Sequence, residues 1–134
     1  MSFYLDTNIC IFILRGKNER VLKKVNATNS DDIKIPSVVK AELFAGAFKS
    51  AAPEKNIKQI QDFLNQFEII PFDDLATWTY GRIWAELERK GQRIGSNDLI
   101  IAATVLSRNG TLITNNVKEF SRIDGLIYSD WTQS

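Results

Sequence analysis

The chain has 134 residues, 44% of them hydrophobic and 25% charged, with a formal net charge of +1. That length suits one core rather than two, so a single domain over 1–134 is expected. With no histidine and one cysteine, the usual zinc sets, Ser-His-Asp and Cys-His catalysis and an internal disulfide are excluded, and any metal must be a hard cation held by oxygen.

In chain order, Ser2 to Leu5 is short, apolar and β-prone, and Asp6-Thr7-Asn8 then offers capping chemistry before Ile9, Phe12 and Ile13 recur at helical spacing. This predicts strand, turn and helix, with Cys10 as a small buried hydrophobe. Arg15, Lys17, Arg20, Lys23 and Lys24 form a basic cluster that reads as a solvated face compatible with nucleic acid. A second strand, Ile33 to Ile35, ends at Pro36; Ser37 can cap a helix through about Lys49, and Pro53 can open another through about Phe67. A short strand is expected at Ile69 and Ile70, followed by a helix carrying Leu75, Trp78, Ile83, Trp84 and Leu87 and stopped by Gly91. The spacing of Trp78 and Trp84 places them, with Trp131, as core or interface anchors. An apolar helix from Asp98 to about Arg108, a strand Thr111 to Ile113, a helical turn near Val117 to Phe120 and a strand Leu126 to Tyr128 complete the chain. Strands alternating with helices predict an α/β fold with a mainly parallel sheet.

The longest nearly uncharged stretches, Met1 to Leu14 and Ile94 to Ser107, are each interrupted by an acid and fall short of the roughly 20 apolar residues of a membrane span. Met1 to Leu5 lacks the basic start of a signal peptide. No membrane association and a cytoplasmic location are therefore expected.

Three acids stand alone in core-like runs. Asp6 is the only charge from Met1 through Leu14, Glu42 the only one from Ala41 through Phe48, and Asp98 the only one from Ile94 through Ser107. A carboxylate withdrawn from water loses several kcal/mol unless a cation or donor array compensates it, and no lysine or arginine occurs in these three runs. Asp6 and Asp98 also stand where the chain enters a helix, beside the carboxyl ends of strands where open parallel sheets bind ligands. Each has a structural alternative: Asp6 as an N-cap, Asp98 as a charge favouring its helix dipole, Glu42 as helix surface. Converging acids would raise one another's pKa unless a divalent cation such as Mg²⁺ or Mn²⁺ neutralised them. Gly46, one turn beyond Glu42, leaves room beside that carboxylate.

The segments Leu5-Asp6-Thr7-Asn8, Ala41-Glu42-Leu43, Asn97-Asp98-Leu99-Ile100-Ile101-Ala102-Ala103 and Thr114-Asn115-Asn116-Val117-Lys118-Glu119-Phe120, in this order, resemble the PIN-domain ribonucleases, most closely the VapC-type toxins. The resemblance implies an α/β/α sandwich and an Mg²⁺- or Mn²⁺-dependent endoribonuclease acting on structured RNA, often tRNA. It further implies a homodimer inhibited by a VapB-type antitoxin. It assigns Asp6, Glu42 and Asp98 to the metal site. Many PIN domains carry a fourth aspartate where Asn116 stands here; Glu119 is the nearest acid that can complete the set, and the lost charge implies a weaker second metal site. Thr7, Asn8 and Thr114 are candidates to orient ligands, and Lys118 and Arg82 to Arg93 to contact phosphate. Two other functions compete: a catalytically silent module binding RNA or protein through the same groove, and a doubly wound phosphotransfer protein with Asp6 as nucleophile, which would leave Glu42 unexplained.

Overall fold

The computed structural model describes residues 1–133. Five strands form one sheet: β1 (Phe3–Leu5), β2 (Ile33–Pro36), β3 (Glu68–Ile70), β4 (Thr111–Ile113) and β5 (Ile127–Ser129). Their spatial order is β3-β2-β1-β4-β5, and every pairing is parallel. Seven α-helices connect them: α1 (Thr7–Arg15), α2 (Glu19–Asn26), α3 (Ser37–Lys49), α4 (Pro53–Leu64), α5 (Asp74–Arg89), α6 (Ser96–Ser107) and α7 (Val117–Phe120). The architecture is the α/β/α sandwich expected. Because helices cover both faces, the inner strands are mostly apolar: Leu5, Ile35, Leu112 and Ile113 are all fully buried, and Lys34 of β2 pairs with Glu68 of β3. Cys10 is buried too, as a packing residue. Among the described residues no helix is long and apolar enough to cross a membrane.

Topology follows from β1. The chain adds β2 and β3 on one side of it, then returns through α5 and α6 to place β4 and β5 on the other. The strand order therefore reverses between β1 and β4, which makes a crevice at their carboxyl ends. The close pairing of these strands also explains Gly110: a side-chain carbon there would run into the Tyr4 ring.

Several boundaries differ from expectation for identifiable reasons. α6 starts at Ser96, with Gly95 as its N-cap and no side-chain cap, so Asp98 lies in the first turn rather than at the entrance. Pro36, not Ser37, occupies the N-cap of α3. α4 ends at Leu64, and Phe67 leaves the helix to meet the Phe63 ring edge-on at 5.3 Å. α2 lies within the basic cluster; Asn18 caps it by accepting from the Val21 backbone N–H at 3.1 Å, and Val21 is buried. Trp131 is core, but Trp78 and Trp84 are 67% and 51% exposed, because α5 turns Ala76, Thr79, Ile83 and Leu87 inward instead.

Candidate active site

Asp6 follows β1 directly and begins α1, and both structural demands meet in its carboxylate. Its backbone N–H donates to Ile113 O at 3.1 Å, tying it to the end of β4. Its Oδ1 accepts from the Ile9 backbone N–H at 3.0 Å as an N-cap. Its Oδ2 accepts from the Thr114 hydroxyl at the end of β4. Thr114, itself fully buried, accepts in turn from the Asn116 backbone N–H at 2.9 Å. The cap and the site are thus the same residue using different oxygens.

The other acids arrive from separate elements. Glu42 projects from the interior of α3, half-buried, and its Oε1 accepts from the Thr7 hydroxyl at 2.8 Å. Asp98, half-buried, lies in the first turn of α6. Glu119 lies on α7, where its Oε2 accepts from Asn116 Nδ2 at 3.2 Å. That contact turns the Asn116 amide so that its own oxygen faces away from Glu119.

Electrostatics shows that these groups share one neighbourhood. Asp6 is only 5% exposed, and burial pushes its carboxyl up to about 6. The donors Thr114 and Ile9 oppose that rise, whereas the charges of Glu42 and Asp130 add to it. Burial also raises Asp98 to about 6, with further contributions from the charges of Glu119, Asp6 and Glu42. The charges of Glu42, Glu119 and Asp6 thus reach Asp98, and those of Glu42 and Asp130 reach Asp6, with no lysine or arginine among the causes of either shift. Asp130, just beyond β5, is a fifth charge that sequence reasoning passed over. It sits in a polar segment, where an acid carries no signal, and it reaches the site only because β5 pairs with β4. Among the described residues no three acids are already drawn together into a closed ligand set, although the Asp98 and Glu119 carboxyls lie in side-chain contact. The donor chemistry nonetheless fits a hard divalent cation, since it consists of oxygens in excess negative charge with a raised cost of ionisation.

The basic candidates are divided. Arg82 pairs with Glu86 at 3.2 Å and Lys90 with Asp124 at 2.8 Å, which commits them to the surface of α5 and its exit. Lys118 is exposed on α7 beside Glu119.

Comparison with known proteins agrees with this geometry. A PIN domain profile matches residues 3–126. The chain is 41% identical over 132 residues to "Ribonuclease VapC2" of Rickettsia felis, covering 98% of each protein. It is 40% identical over 131 residues to the "tRNA(fMet)-specific endonuclease VapC" of Salmonella typhimurium, again covering 98% of each. Among solved structures, it is similar to the Rickettsia felis VapBC2 complex bound to a promoter DNA fragment, with a TM-score of 0.92, 40% identity, and coverage of 98% of this chain and 99% of that one.

Proposed function

The chain belongs to the PIN-domain family, and we propose that Asp6, Glu42 and Asp98, completed by Asn116 and Glu119, form the active site with which it cleaves RNA as the toxin of a toxin–antitoxin pair. The observation that carries this reading is convergence: acids from β1/α1, α3, α6 and α7 meet at the point where the strand order reverses. A dehydrated cluster of that kind has no packing benefit to offset its cost.

Asp6, Asp98, Glu42 and the Asn116 amide oxygen would hold the divalent ion, Mg²⁺ or Mn²⁺. When bound, that ion supplies neutralising charge to a phosphodiester undergoing in-line hydrolysis. The protein does the rest. Thr114 fixes the Asp6 carboxylate from below, and Thr7 fixes Glu42 from the neighbouring helix. Glu119, oriented by Asn116 and in side-chain contact with Asp98, is the carboxylate to accept a proton from the attacking water. The water oxygen forms the new bond to phosphorus as the bond to the leaving ribose oxygen breaks, and Lys118 stands nearby to contact the phosphate. tRNA is the substrate class that the similar Salmonella enzyme's name supports.

The partner is a VapB-type antitoxin, the class found with this fold in the similar complexes. Phe48, Leu75 and Trp78, all more than half exposed, provide apolar surface for it and for a second copy of the chain. Cleavage of tRNA with Mg²⁺ by the wild type and by Asp6→Asn, Glu42→Gln and Asp98→Asn tests the site. Each substitution is expected to lower kcat at least a hundredfold, and unchanged activity in all three would sink the assignment.

A further inference from the structure

Glu42 belongs not only to the acidic site but also to the lining of a cleft of about 250 Å³ between α1, α3 and α4. The walls are aliphatic, supplied by Ile11, Leu14, Leu43 and Ile60, whereas Arg15, Asn56 and Gln59 bring polar groups to the same space. Arg15 is exposed at the end of α1 and makes no salt bridge among the described residues. Asn56 donates through Nδ2 to the Ser50 hydroxyl at 2.8 Å, which fixes the amide and leaves Oδ1 as an acceptor. Gln59 lies one turn further along α4, so two amides follow one another on one helix face.

Gly46 supplies a separate clue. It lines the cleft one turn after Glu42, inside a helix of 13 residues. A side-chain carbon there would meet nothing within 4 Å, and its φ is not among the positive values of the chain. Neither packing nor backbone conformation calls for glycine at a position where it costs roughly 1 kcal/mol relative to alanine. What its missing side chain provides is depth in the cleft.

We propose that this cleft is a nucleobase subsite: one unstacked base of the RNA substrate enters between α1 and α4, its edge read by Asn56 and Gln59 and its phosphate met by Arg15. Unstacked bases are held by stacking, on aromatic rings or an arginine plane, and by hydrogen bonds at their edges; here Arg15 is the group that can stack or meet phosphate, the two amides can donate and accept at the edge, and the aliphatic walls supply apolar contact. Glu42 lines both the slot and the acidic site, so a base seated in the slot fixes which phosphodiester reaches the carboxylates. The inference rests on the ribonuclease reading and extends it to specificity.

Two measurements on the full chain test it. In the first, each of the four nucleoside 5′-monophosphates is titrated in EDTA while amide chemical shifts are followed. At least one is expected to move the Asn56 and Gln59 side-chain amides and the Gly46 backbone amide, and Gly46→Leu is expected to abolish the effect. In the second, the ends of cleaved RNA are sequenced for the wild type, Gly46→Leu and Asn56→Ala/Gln59→Ala. Loss of base preference at one position beside the cut, with KM raised about tenfold, supports the subsite. If the nucleotides move the cleft but no RNA is cut, the subsite stands and the nuclease reading fails. If RNA is cut with unaltered KM and base preference by both variants, the subsite is overturned while the nuclease reading stands. Gly46→Ala guards against misfolding: it should melt no lower than wild type and still raise KM. A Gly46→Leu variant that escapes antitoxin inhibition yet cuts RNA normally assigns the cleft to protein docking and also overturns the proposal.

Discussion

Asp6→Asn is expected to stabilise the metal-free protein while abolishing its cleavage activity. Burial raises the Asp6 carboxyl from 3.8 to about 6, so the folded state holds that proton more tightly than the unfolded chain. Its effect on stability is therefore most favourable below about pH 4, declines as pH rises toward 6, and stays at its lowest above that. From the size of the shift, keeping Asp6 ionised in the fold costs about 3 kcal/mol at pH 8. Asparagine avoids that cost and can keep the cap to Ile9 at Oδ1, but it gives up the acceptor for the Thr114 hydroxyl, a loss of about 1 kcal/mol. The net gain is about 2 kcal/mol at pH 8, equivalent to roughly 8 °C in Tm for a chain of this size. Melting curves in EDTA at pH 4, 6 and 8 measure it: near pH 4, where little ionisation cost is avoided, the variant should melt below the wild type by up to about 1 kcal/mol, and it should cross and rise above it as pH increases. Excess Mg²⁺ should reverse the order, because the wild type alone gains binding energy, about 2.7 kcal/mol at a hundred times Kd. A variant no more stable than wild type at pH 8 in EDTA, or a gap that ignores pH, would refute the electrostatic account of the site.

Thr114→Val removes a buried hydroxyl that serves both Asp6 and the Asn116 backbone. It should cost about 2 kcal/mol in urea denaturation, with most of the loss restored in Thr114→Ser. Glu119→Gln keeps a polar partner for Asn116, so it is expected to leave Tm within about 1 °C while lowering kcat, read in a tRNA cleavage assay, by a factor on the order of 10². Gly110→Ala drives a methyl into the Tyr4 ring between β1 and β4 and should lower stability by roughly 1–3 kcal/mol. Because the same strands carry Asp6 and Thr114, that variant should also bind Mg²⁺ more weakly by calorimetry.

The local features of the chain were legible because their physics is local. Period-two and period-3.6 patterns, Pro36, Pro53 and Gly91 as boundaries, and a lone acid in an apolar run are all read within a few residues. They place all five strands within a residue of where they lie, and they single out Asp6, Glu42 and Asp98 before any contact is known. α2 escaped because its helix depends on the Asn18 cap and on a single buried residue, Val21, amid basic neighbours. Trp78 and Trp84 are not core, because α5 carries two apolar stripes and sequence alone gives no means of telling which faces the sheet; exposed, they keep only the interface half of the expectation. The stripe of Ala76, Thr79, Ile83 and Leu87 packs closely because its side chains are smaller.

By itself, then, the sequence determined the α/β class, the placement of the strands and the three isolated carboxylates, all consequences of neighbouring residues competing for water. Tertiary structure alone decided that Thr114, 108 residues from Asp6, holds its second oxygen, and that Asp130 joins the charge cluster. These are outcomes of strand order. A reversal between β1 and β4 brings distant chain ends to one crevice, and nothing in the spacing of residues along the chain encodes which strands become neighbours.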